Sequence, residues 1–235
     1  MSDAPSMLVS VHLPKTAGTS FAMALRAHYG HRLVEDYTMV PLNRARGWRE
    51  WEALRAGVAA RAAGTLRHHA VHGHFLPLKY RLALRGHRVD YVTWLRDPVD
   101  RLLSHFHYWK RTSEVASPAQ PLRYRFVREN WSLERFCLGP ELRNVYRQYL
   151  WGFPPGRFAF IGITEHYDTE LGDMGARLLG NAAALTRARV RVNPDAPSAR
   201  YPIGAELHAR IRRHHAADVA LYAWALAQRE KRLHR

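Results

Sequence analysis

VHLPKTAGTSFAMAL, residues 11–25, passes from apolar strand-like residues through a Pro-Lys-Thr-Ala-Gly-Thr-Ser loop into an amphipathic run. MLVSVHL at 7–13 is short, apolar and partly β-branched, the pattern of a buried strand. Phe21, Ala24, Leu25 and His28 then fall at i, i+3, i+4 and i+7, which predicts a helix ended by Gly30. A strand that feeds a short loop and a helix is an anion site by construction. The first backbone N–H groups of the helix have no partner within it, and the helix dipole favours negative charge there. Lys15, Thr16, Ala17, Gly18, Thr19 and Ser20 are therefore candidate phosphate contacts, with Thr19 or Ser20 also able to cap the helix. The loop is not a Walker A loop: the first glycine of G-x-x-x-x-G-K-[ST] is missing, and the lysine precedes the glycine.

The same grammar recurs along the chain. In DYVTWLRDP, 90–98, a strand ends at Asp97, a good N-cap, with Pro98 at the first helical position and Val99, Leu102, Leu103 and Phe106 on one face. PPGRFAFIGITEHYDTELGDMGARLLG, 154–180, predicts a strand at 157–163 and a helix capped by Thr164. That helix would turn Tyr167, Leu171, Met174 and Leu178 to the core and end at Gly180. HHAVHGHF, 68–75, reads as a strand entering a loop. Residues 43–68 are Trp- and Arg-rich and helical in part; 111–130 reads as a loop or insertion and 191–202 as a loop; the C-terminal part is helical, in one or two pieces, with Val219, Tyr222, Ala223 and Leu226 on one face. Alternating strands and helices predict an α/β fold, a mainly parallel sheet with helices on both faces, in a single domain spanning 1–235.

Thirty-six basic against 20 acidic residues leave a formal charge of +16, besides 15 histidines, so the chain attracts anions. No apolar run approaches the ~20 residues of a membrane span, and no signal peptide is visible, so a cytoplasmic location is expected. Cys137 is the only cysteine, which excludes an internal disulfide. No third ligand stands at zinc spacing from any histidine pair, so no metal is expected.

A second anion grip accompanies the first. Arg96 ends the 90–95 strand, and Ser104 follows eight residues on, about two helical turns. A guanidinium fork suits bidentate phosphate binding, and a serine hydroxyl adds a further bond. Parallel strand ends share one edge, so two grips there suggest a nucleotide phosphorylated at two places.

PKTAGTS (14–20) together with LRDPVDRLLSHF (95–106) resembles the cofactor-binding segments of sulfotransferases that use 3′-phosphoadenosine 5′-phosphosulfate (PAPS). More narrowly it is similar to their carbohydrate branch, which includes the heparan sulfate and uronyl 2-O-sulfotransferases. VHGHF (71–75), NVYRQYL (144–150), FIGITEHYDTEL (160–171) and DVALYAWA (218–225) agree in order. The resemblance implies a P-loop-containing nucleoside triphosphate hydrolase-like fold and PAPS as sulfuryl donor with no metal required. It places the 5′-phosphosulfate on the 14–20 loop and the 3′-phosphate on Arg96 and Ser104. The implied acceptor is an anionic or neutral hydroxylated glycan, a glycolipid or a small molecule; relatives in eukaryotes are Golgi-membrane proteins.

Charge grows on the leaving phosphate during sulfuryl transfer, so a fixed ammonium stabilises the transition state more than the ground state. Lys15, one of only four lysines, is the candidate. The acceptor hydroxyl needs a general base, and the resemblance implies a histidine of the His72-Gly73-His74 segment. His74 is favoured, with His72 as its neighbour or an acceptor contact. Arg147 is either a ligand contact or a solvated helix residue, and Glu165 reads as a dipole-stabilising helix-start acid. Two other classes compete: a basic polyanion- or nucleic-acid-binding protein, for which 105–128 mixes aromatic and basic residues without a recognition motif, and a small-molecule kinase with a degenerate P-loop.

Overall fold

Five short strands carry the fold in a computed structural model that describes residues 6–39, 41–63, 69–185 and 201–234. They are β1 (Met7–Val11), β2 (Leu33–Asp36), β3 (Ala70–Gly73), β4 (Val89–Leu95) and β5 (Phe160–Ile163). All pair in parallel, in the order β2-β3-β1-β4-β5. The central strand β1 leads through residues 12–17 into helix α1 (Gly18–Tyr29), the strand–loop–helix arrangement of P-loop folds.

Side-chain alternation sorts each strand onto two covered faces. Val9, Val11, Val71, Tyr91, Leu95, Ile161 and Ile163 lie on one face, with α3 (Leu78–Ala83), α4 (Pro98–Arg111), α6 (Leu133–Leu138) and α7 (Val145–Tyr149). Leu8, Ala70, Val92, Trp94 and Phe160 lie on the other, under α1 and α8 (Tyr167–Leu179). The remaining helices are α2 (Arg46–Ala63), α5 (Pro121–Arg128), α9 (Ala205–His214) and α10 (Ala216–Leu233). The expected parallel α/β sheet flanked on both faces is therefore present.

Three local expectations are corrected, and a fourth, a helical C-terminal part in one or two pieces, is resolved. Strand β2 was not anticipated, because LVED offers only a half-polar tetrad with no alternation. Residues 111–130 are not a loop. α4 runs to Arg111, and α5 then buries Phe126 among Phe106, Trp109 and Phe136 at ring separations of 5.4–5.6 Å. Burial of that aromatic cluster outweighs the weak local helix signal. Thr164 opens a 3₁₀ turn (Thr164–His166) instead of capping α8, which starts at Tyr167 with no side-chain cap. The C-terminal part is two helices, broken at His215, whose ring accepts from Asn144 N–H at Nδ1 and donates to the Cys137 carbonyl at Nε2. The predicted 191–202 loop falls largely outside the described residues, as do 64–68 of the Trp-rich stretch.

Candidate active site

The Pro14–Ser20 loop is shaped by backbone, not by side-chain caps. Lys15 and Ala17 both adopt left-handed φ, 66° and 61°. Such turns fold successive N–H groups into an anion-binding concavity. Ala17 occupies the N-cap position of α1 without a capping side chain, so neither Thr19 nor Ser20 caps the helix. The first intrahelical bond runs from Phe21 N–H to the Ala17 carbonyl at 3.0 Å, which leaves the N–H groups of Gly18, Thr19 and Ser20 without helical partners. Thr16 is buried, and its hydroxyl donates to the Leu13 carbonyl at 2.9 Å, so it braces the loop from behind. Thr19 is exposed and Ser20 half-buried.

Lys15 and Arg96 follow the C-terminal ends of the paired strands β1 and β4. They are close enough for their charges to interact: burial first, then Arg96 and Arg111, lower the Lys15 ammonium to about 8. The ammonium lies 4.2 Å from the centre of the Tyr108 ring. Ser104, Tyr108 and Arg111 stand at i, i+4 and i+7 of α4, so Ser104 shares the helix face whose other two residues reach Lys15. Lys15, Arg96 and Arg111 have no ion pair among the described residues. Three uncompensated cations around one loop favour a multiply charged anion.

Arg96 is held by its backbone. The Tyr146 hydroxyl donates to the Arg96 carbonyl at 2.6 Å and accepts from its N–H at 3.0 Å. One residue on, Asp97 N–H donates to Glu165 Oε1 at 2.8 Å, and the Asp97 carboxylate caps α4 by accepting from Val99 and Asp100 N–H. Glu165 thus serves β4 instead of the start of its own helix. In turn Asp218 of α10 accepts from the N–H groups of Tyr146 and Arg147 at 3.0 and 3.2 Å. The side chain of Arg147 is exposed. Tyr146 and Glu165 lay inside segments that drew attention in the sequence, yet only topology brings them to Arg96.

The histidine segment converges on the same edge through a residue the sequence reading passed over, His12. Its N–H donates to the Gly73 carbonyl at 2.8 Å, which extends the β1–β3 ladder by one rung. Its carbonyl lies 2.6 Å from His74 Nδ1. A carbonyl only accepts, so His74 carries its proton on Nδ1 and leaves Nε2 as a basic lone pair. Burial outweighs that bond and lowers the His74 imidazole from its ordinary value, so it is neutral at pH 7. The His12 ring stacks on His74 at 4.2 Å and on His72 at 5.0 Å, and its Nδ1 is 3.1 Å from the Tyr37 hydroxyl. His72 differs in kind. It is 1% exposed, its Nδ1 pairs with Ser10 Oγ at 2.8 Å, and burial pushes it down to about 3. Of the two expectations for His72, neighbour of His74 or acceptor contact, the geometry fits the first: strand alternation turns it into the core, under α1.

Both glycines of these segments sit at close approaches, with opposite consequences. A Cβ on Gly73 would lie 1.8 Å from the Asp36 carbonyl oxygen, in the backbone of paired β2. A Cβ on Gly18 would lie 1.8 Å from His12 Nε2, the tip of a side chain that can swing away. Gly73→Ala is expected to destabilise the fold by at least about 3 kcal/mol in a thermal or urea melt, since two backbones must separate. Gly18→Ala should retain the fold and displace only the His12 ring.

No family model matches the chain, and no curated protein matches it in sequence. Among solved structures it is similar to a sulfotransferase from Alicyclobacillus acidocaldarius, with a TM-score of 0.48 and 14% identity over 94% of this chain and 96% of that one. A likeness this distant carries no weight for activity. The chemistry is argued from the residues.

Proposed function

We propose that the protein is an O-sulfotransferase that moves the sulfuryl group of PAPS to a hydroxyl of a carbohydrate-type acceptor. The observation that supports this most is the set of three cations around the β1 loop that have no counter-ion among the described residues, beside a neutral histidine of fixed tautomer. A polyanionic nucleotide fits that donor set. The loop N–H groups and Lys15 would hold its 5′ end, and Arg96 and Ser104 its 3′-phosphate. The donor supplies an activated sulfuryl group with a phosphate leaving group. Lys15 neutralises charge on that phosphate, and His74 Nε2 takes the proton of the acceptor hydroxyl. The His12 carbonyl, hydrogen-bonded to the opposite nitrogen, steadies the imidazolium so formed.

Thermal melts with adenosine 3′,5′-bisphosphate, adenosine monophosphate, and ATP with magnesium test the nucleotide part. The bisphosphate alone, without metal, is expected to stabilise strongly, by about 2.7 kcal/mol at a hundred times its Kd. Arg96→Ala should raise that Kd by roughly ten- to a hundredfold, from the loss of charged hydrogen bonds. Greater stabilisation by ATP with magnesium would favour phosphoryl transfer instead. Scanning labelled PAPS against glycans, glycolipids and small hydroxylated compounds then identifies the acceptor.

A further inference from the structure

Helix α2 has two unlike sides. Its inner side buries Ala53 and Gly57 against α3, where the Gly57 Cβ position is 2.6 Å from the Lys79 carbonyl. At its N-terminal end Arg49 is buried and donates to Gln148 Oε1 at 2.6 Å. The outer side carries Trp48, Trp51, Leu54 and Val58, which are 53%, 50%, 39% and 60% exposed. At about 100° per residue these four lie within an arc of about 120°. The two indole rings touch, 5.2 Å between centres with their planes tilted by 37°.

Within the arc the charge has a single sign, and the flanking acids Glu50, paired with Arg46, and Glu52 lie about 40° outside it, half-buried. Arg55 is the only ionisable residue within the arc, and its guanidinium lies over the Trp51 ring at 5.4 Å. Exposed Arg44 precedes the helix and exposed Arg61 borders the arc beside Leu54, while the whole chain carries +16. An apolar stripe led by two tryptophans and edged by arginines is the signature of a helix that lies in a membrane interface. The apolar residues enter the headgroup boundary, and the arginines meet anionic headgroups. A solvated helix would not keep two tryptophans, a leucine and a valine together on its outer face.

We propose that the outer face of α2 docks the protein on an anionic phospholipid surface, with the helix parallel to it. The inference stands apart from the transfer reaction, and its test reads binding alone. Full-length protein is sedimented with phosphatidylcholine vesicles with and without phosphatidylserine, and its tryptophan emission is recorded. Binding and a blue shift are expected with phosphatidylserine vesicles. The double substitution Trp48→Ser and Trp51→Ser should lower the partition coefficient about tenfold or more with the melting temperature unchanged. Val115→Ser, which removes an exposed apolar residue from outside α2, should leave it unchanged. Equal binding by wild type and double variant would overturn the proposal, since charge alone would then account for it. So would absence of wild-type binding, or a concentration-dependent dimer abolished by the same double substitution, which would assign the face to a second copy of the chain.

Discussion

Removing the imidazole in His74→Ala is expected to lower the turnover of sulfuryl transfer by about 10²–10⁴-fold while leaving the Kd for adenosine 3′,5′-bisphosphate unchanged. The size follows from losing a positioned base; the split follows from position. His74 is anchored to the His12 carbonyl on the β3 side of the loop, whereas the uncompensated cations come from the loop itself, β4 and α4. The pH dependence carries its own sign. The base works as neutral imidazole, and burial lowers its pKa from 6.5, so the neutral form persists to lower pH than for a free histidine. The acid limb of kcat/KM should therefore fall below pH 6.5. A loss under tenfold, or an acid limb above 6.5, would remove His74 from the role of base.

Lys15→Ala should cost roughly 10²–10³-fold in turnover, the scale on which a single preorganised donor to a developing anion acts. It should also weaken bisphosphate binding. Without ligand, however, the variant should melt no lower than wild type. Lys15 is partly desolvated beside Arg96 and Arg111, so its removal relieves repulsion, and alanine leaves the left-handed φ of 66° as it was. Opposite signs for resting stability and ligand stabilisation distinguish an anion grip from a structural lysine. Bisphosphate affinity should rise with pH as the phosphates complete their second ionisation near ~6. It should then fall through about 8, where Lys15 loses its proton. A lysine that binds no anion would leave affinity flat above pH 8.

Much of this site was legible because strand–loop–helix junctions are written locally. The apolar run at 7–13, the loop at 14–20 and the Asp97-Pro98 helix start need only neighbouring residues, and the Asp97 carboxylate does cap α4. What was hidden depends on partners distant in the chain. His12 reads as one more residue of the 7–13 strand, and its value lies in a backbone carbonyl that meets His74, 62 positions later. Tyr146 and Glu165 reach the Arg96-Asp97 backbone from 50 and 68 residues away. Periodicity reports which face of an element is apolar, not which other element's polar groups will arrive there. The same limit explains α5: the RYRFVR stretch is strongly basic, and its helix forms around one phenylalanine seated among rings from α4 and α6.

The chain of contacts from Asp218 through the start of α7 to the Tyr146 hydroxyl and the Arg96 backbone has a temporal meaning. On a ribosome, β1, β3 and β4 emerge long before residue 218, so a nascent or prematurely terminated chain can assemble most of the sheet. The Arg96 backbone would still lack the brace that Asp218 of α10 supplies through α7. An anion grip at Arg96 of full rigidity is therefore expected only once synthesis has passed Asp218.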